Sequence, residues 1–237
     1  MAAIRLGDLS ITVTRKAVKH THLSVHPPRG RVTLVAPLGT RTEVMRAYAI
    51  SKLGWIRRQQ EQFRAQARET PRRYLTRETE CVWGKRYLLK VEHVDAKPTV
   101  VLDHRQMLLR VRPGSDADAR SAAVQAWYRQ QMHVAIPKLI AKWEPRLGVR
   151  VEGYFLQRMK TKWGSCNNRA RHIRLNTELV KKPRALLEYV VVHEMLHILE
   201  PKHSERFFEL LTRHYPAWRN AQTELNALPL GAEPWRE

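Results

Sequence analysis

Residues 186–198 are almost wholly apolar, yet they include His193, Glu194 and His197. Burying an imidazole or a carboxylate in such a helix is costly unless it has a partner. The spacing suggests one. Residues four apart lie one turn apart on the same helix face, so His193 and His197 can reach a single metal ion. A pair of surface histidines beside a solvated glutamate would not need so apolar a helix. Glu194 follows the first histidine and is turned slightly around the helix. There its carboxylate meets a metal-activated water without binding the metal. This is the H-E-x-x-H pattern of zinc hydrolases. Zinc brings the ionisation of water to about pH 7 and polarises the electrophile. Glu194 is then the expected general base, taking the proton and returning it to the leaving group.

A catalytic zinc site uses three protein ligands and keeps one position open. His203, beyond Pro201, is the expected third ligand, with Glu205 and Glu209 as rivals. One Zn²⁺ per chain is expected.

The 237 residues suffice for one large or two small domains without disulfides. Two cysteines, Cys81 and Cys166, argue against a disulfide framework and favour a reducing, cytoplasmic setting. The N-terminal residues read as a strand rather than a signal peptide, and no run is long enough to span a membrane. The net charge of +21 is concentrated away from the motif: residues 1–80 hold 16 Lys/Arg against 6 Asp/Glu, residues 161–237 only 12 against 9. Such a field permits non-specific contact with nucleic acid, although no nucleic-acid-binding motif accompanies it and a merely solvated basic surface explains it equally well.

Alternation in residues 9–36, with Pro27-Pro28-Arg29-Gly30 as the turn, predicts a small antiparallel sheet. Thr40 and Glu43 suggest a capping box. A single helix to about residue 68 follows, with Val44, Ala47, Tyr48, Leu53 and Ile56 on its apolar side. Residues 70–80 read as a polar link, and strands resume at 81–93, 98–103 and 106–112. A helix over about 116–143 should kink or break at Pro137. Strands at 149–157 and 171–176 precede the motif helix, about 183–199; a helix capped by Ser204 and a weak C-terminal helix complete the chain. No internal repeat stands out. Strands dominate early and helices late, which argues α+β: a β-rich region with one helix over 1–114 and a mainly helical catalytic region over 115–237.

Upstream of the motif stand Lys160-Thr161-Lys162-Trp163-Gly164-Ser165-Cys166, then Leu175-Asn176; Tyr189 to His197, His203-Ser204 and Phe207-Phe208 follow. In the first half, residues 32–37 form a valine-rich strand ending in Ala-Pro, and Trp55-Ile56 sits in a helix. Together these resemble the YgjP-like family of zinc metallohydrolases across most of the chain. Met195 and Lys202 depart from the family pattern without removing a ligand; Lys202 replaces an asparagine able to support a ligand. The family is grouped with zincin-type peptidases, which implies a zincin-like catalytic region and peptide-bond chemistry.

The resemblance favours a metallopeptidase acting on a peptide or protein. The strand at 173–176 is the candidate for pairing with an extended substrate. Trp163 to Cys166 reads as a turn, structural or lining the site. Lys160, Lys162, Trp163, Arg174 and Asn176 are the candidate substrate contacts. A nucleotide phosphohydrolase is the alternative, because residues 157–174 carry Arg158, Lys160, Lys162, Arg169, Arg171 and Arg174 and no acidic residue, and such a cluster beside a metal suits phosphate.

Overall fold

The computed structural model describes residues 2–26, 30–65, 73–159 and 162–228. The first three residues of the expected turn at 27–30, the start of the expected link at 70–80, and Lys160 with Thr161 lie outside these residues. The fold is α+β, with sheets early and helices late.

The chain divides into two compact units, residues 1–67 and 68–237. The division falls earlier than the expected boundary at 114/115, because the second set of strands shares its core with the catalytic helices. In the first unit, β1 (Ala2–Leu6), β2 (Leu9–Lys16), β3 (His22–His26) and β4 (Arg31–Pro37) form a sheet in the order β1-β2-β4-β3. The sheet is mixed rather than antiparallel, since β2 and β4 run parallel at its centre. Ile11, Val13, Val32 and Leu34 alternate with outward residues, as a half-buried strand requires, and face Met45, Ala49 and Ile56.

The single helix expected here is two, α1 (Thr42–Ser51) and α2 (Leu53–Ala65). The capping box does not form: the N-cap is Arg41, without a side-chain bond. The buried face of α1 is Met45 and Ala49, while Val44 is exposed. The helix is interrupted at Lys52, whose N–H bonds to the Ala49 carbonyl, while Met45, Ala49 and Ile56 remain in one core.

In the second unit, β5 (Thr79–Val82), β6 (Lys85–His93), β7 (Thr99–Asp103) and β8 (Gln106–Val111) form a sheet in the order β5-β6-β8-β7, again with a parallel central pair. Two sheets thus share one strand order without a repeat visible in the sequence. Asp116 caps α3 (Ala117–Leu147), accepting from the Ala119 N–H at 2.7 Å. The helix runs through Pro137 unbroken. Buried Met132, Ile136 and Trp143 on either side hold both halves to the core, and this packing outweighs the lost backbone bond.

A third sheet contains β9 (Gly153–Gln157), β10 (Gly164–Asn167) and β11 (His172–Asn176) in the order β10-β11-β9. Residues 164–167 are therefore a strand, where the sequence suggested a turn. A 3-10 helix, Thr177–Lys181, leads into α4 (Arg184–Leu196). The tip of the β5–β6 hairpin grips this junction: the Trp83 N–H donates to the Val180 carbonyl at 2.7 Å, and Arg184 lies over the Trp83 ring at 4.9 Å. Helices α5 (Glu205–His214) and α6 (Trp218–Ala227) complete the unit. No described helix is long and apolar enough to cross a membrane.

Candidate metal centre

Helix α4 buries Leu186, Leu187, Val190, Val191, Val192, Met195 and Leu196. Its remaining face carries His193 and, at the C-cap, His197. After Pro201 the chain turns back. Ser204 caps α5 by accepting from the Phe207 N–H at 3.3 Å, and this sets His203 against the other two imidazoles. One ring nitrogen from each of His193, His197 and His203 lies within 4.8 Å of the others. The rivals Glu205 and Glu209 lie outside this cluster.

The rings rest on Phe207, which is fully buried at the start of α5. It stacks on His197 with centroids 4.6 Å apart and meets His203 and His193 edge-on at 4.9 and 5.0 Å. Phe208 stacks on Trp218 and flanks His203. Sequence reasoning noted the aromatic pair only as part of a pattern; its function as the floor under three imidazoles needed the turn at Pro201.

The donor set fits a zinc ion. The Nδ1 of His197 lies 3.0 Å from the Glu200 carbonyl. A carbonyl only accepts, so Nδ1 carries the proton and Nε2 keeps its lone pair. The Nε2 atoms of His193 and His203 face each other at 3.0 Å. Two ligands of a tetrahedral zinc, each about 2.0–2.1 Å from it, sit about 3.3 Å apart. Burial, with His197 and His203 adjacent, pushes the His193 imidazole down to about 3. It is therefore neutral, as a ligand must be. Burial also lowers His197.

Glu194 lies inside the same cavity, 5% exposed. Burial pushes its carboxyl up to about 8, against the opposing influence of Lys162. Among the described residues nothing donates to this carboxylate, so packing sets its position.

The cavity, of about 540 Å³, is walled by Lys162, Trp163 and β10 on one side and by Gln222, Leu225 and Asn226 of α6 on the other. Lys162 and Trp163 are thus brought to the site. Arg174 and Asn176 are not. Asn176 is 1% exposed, and its amide donates to the Met159 and Lys162 carbonyls at 2.9 Å each. It fastens the loop before β10 rather than facing a substrate. Arg174 is not among the residues that line the cavity, and Lys160 lies outside the described residues. Cys166 lines the cavity, but burial, then Glu194, pushes its thiol up to about 11. It remains protonated and is neither a ready ligand nor a nucleophile. Tyr189 and the α6 residues were missed by the sequence reading, whereas Gly164 fell in the segment for which lining the site was one of two readings. Tyr189 precedes His193 by one turn and could have been found from that spacing; α6 carries no such signal.

An α+β fold with three converging imidazoles beside a buried glutamate fits a zinc metallohydrolase. The YgjP-like metallopeptidase domain matches residues 21–228, and the chain belongs to the YgjP-like metallopeptidase family. The crystal structure of the metallopeptidase zymogen of Methanocaldococcus jannaschii jannalysin is 21% identical and aligns over 38% of this chain and 92% of its own. Its TM-score of 0.33 is too low for structural equivalence to follow. No curated protein matches the chain.

Proposed function

We propose that the chain is a zinc metallopeptidase in which His193, His197 and His203 hold the metal and Glu194 is the general base. The observation that carries this is the three-imidazole cluster opening, with Glu194, onto a cavity that ends at a sheet edge. Zinc, when bound, supplies a Lewis acid and brings water ionisation into the neutral range. Glu194, poised near neutrality by burial, takes the proton from the attacking water and delivers it to the leaving amine. Tyr189 packs against His193 and Phe207 against all three imidazoles, which holds the rings in place.

The docking edge is β10, not the strand at 173–176. That strand, β11, is paired on both sides, with β10 and β9. The Asn176 N–H donates to the Trp163 carbonyl at 2.9 Å. In an antiparallel ladder bonding alternates, so residues 163, 165 and 167 bond towards β11. Gly164 and Cys166 then turn their N–H and C=O groups to the free edge, where an extended peptide can pair.

Phosphoanhydride substrates are less well served. Lys162 is the only Lys or Arg among the described cavity-lining residues, and Arg158 lies 3.5 Å from the buried Glu178.

Zinc-loaded protein and a Glu194→Gln variant, assayed on an unfolded polypeptide and on nucleoside triphosphates, test this choice. Peptide cleavage is expected, with a loss of at least about 100-fold in the variant. Glu194-dependent turnover of triphosphates alone would overturn it.

A further inference from the structure

Gly164 stands in a strand, where glycine weakens pairing and contributes no side chain. Its φ is not in the left-handed region, so backbone conformation does not require glycine here. Space does. A Cβ at this position would lie 2.6 Å from Glu194 Cγ and 2.7 Å from Cδ, and closer still to Oε1. Real Cβ atoms do not approach so near. The three atoms all belong to the carboxylate arm of one residue, and that arm receives no hydrogen bond among the described residues. Glu194 is 5% exposed and lines the cavity, so a Cβ at 164 would have to displace its arm from the position it holds.

We propose that Gly164 is the positioning residue of the catalytic glutamate: its bare Cα is the surface against which the Glu194 carboxylate is held in line with the metal site. The proposal rests on Glu194 being the general base. The glycine at 164 leaves room for one rotamer of the base, while its own peptide group lies on the edge assigned to the substrate. Base and substrate are thereby registered to the same strand residue. A methyl group there meets the Glu194 arm before any other side chain and so moves the carboxylate first.

The test is the Gly164→Ala variant of the full chain, with zinc content, kcat and KM measured on an unfolded polypeptide, alongside Glu194→Gln. Gly164→Ala is expected to keep one zinc per chain and a KM within about threefold, while kcat falls about 100-fold, the effect of misplacing a catalytic group by roughly 1 Å. A general loss of structure would instead lower zinc content and kcat together. If Glu194→Gln is inactive but Gly164→Ala retains kcat within threefold, the positioning role is overturned and the base assignment stands. If Glu194→Gln keeps full activity, the base assignment itself fails. Thermal melts cover the case in which Gly164→Ala does not fold. Folding must then return in Gly164→Ala/Glu194→Ala, where the clashing atoms are gone, and a double variant that stays unfolded would overturn the proposal.

Discussion

The sheet of residues 2–37 and the sheet of β5–β8 follow the same path. Each begins with a hairpin, continues into a parallel central pair and closes with an antiparallel strand. Each hairpin turn holds a glycine with positive φ, Gly7 and Gly84. Each turn is also touched by an arginine from a later helix: Asp8 by Arg57 of α2, and Trp83 by Arg184 of α4. The first sheet closes a core of its own, Ile4 to Ile56. The second adds Val82, Leu89, Met107 and Leu109 to the core that supports α4. The same strand order is therefore used once as a separate module and once as a brace for the catalytic helix. A supersecondary path does not by itself dictate what a sheet supports; the residues at its hairpin tip do.

Histidine substitutions should separate the two units most sharply. His203→Ala removes one of three converging ring nitrogens from an exposed side chain, so the fold should persist while bound zinc falls well below one per chain and peptidase activity disappears. His22→Ala, at an exposed position of β3 in the first unit, should change neither. Metal analysis of the purified variants checks both, and stoichiometric zinc in His203→Ala would show that another group completes the site.

The two turn glycines give the next largest contrast. A Cβ at Gly84 would lie 2.9 Å from Pro183 Cγ and 3.2 Å from its Cα, whereas Gly7 has nothing within 4 Å. Both carry the cost of positive φ, about 1 kcal/mol or more. Only Gly84→Ala adds overpacking, a further 1–3 kcal/mol by typical values. Denaturant melts should place Gly84→Ala well below Gly7→Ala. Equal losses would mean that the hairpin tip does not brace the junction into α4.

Why the sequence disclosed the site but not this brace is a matter of range. His193, Glu194 and His197 lie within five residues on one helix, so spacing alone puts them together, and His203 follows across one proline. The edge strand 164–167 looked like a turn because Gly164 and Ser165 have low strand propensity; its pairing with β11 and the space needed by Glu194 override that. Pro137 looked like a break because a proline disturbs its helix locally, and the packing of α3 that compensates is not local. Asn176 looked like a substrate contact because polar residues beside a motif often are, but its partners are backbone carbonyls 14 and 17 residues away. The α6 wall of the cavity comes from residues some 20 beyond the last histidine, with no pattern to connect them.

Acid sensitivity should distinguish the units next. Burial alone would raise the Glu178 carboxyl, but Lys181 at 2.8 Å, with Arg158 and Lys182, outweighs it and holds the group below the ordinary glutamate range. A depressed carboxyl stabilises the fold at pH above its unfolded value, and that contribution is lost as pH falls through the folded one. Glu178→Gln should therefore destabilise the second unit at neutral pH, by about 1–3 kcal/mol for the loss of its charge-assisted contact with Lys181. The gap from wild type should narrow in acid. A gap that stays constant from pH 7 to pH 3 would show that the pair is not what holds the 3-10 helix.

The smallest effects are expected at the two arginines that touch the hairpin turns, and they bear most directly on the comparison. Arg57 and Asp8 are largely exposed, with side chains 45% and 72% accessible. Their ion pair is screened by water, so Arg57→Ala should leave the melting temperature unchanged within error. Arg184 lies over the ring of the half-buried Trp83, at a tip already bonded to Val180. A cation–π contact at such a site contributes about 0.5–1 kcal/mol, so Arg184→Ala should give a small but measurable shift. The order matters more than the size. If Arg57→Ala costs more than Arg184→Ala, the first hairpin is the more tightly held of the two, and the distinction between a free-standing sheet and a bracing one fails.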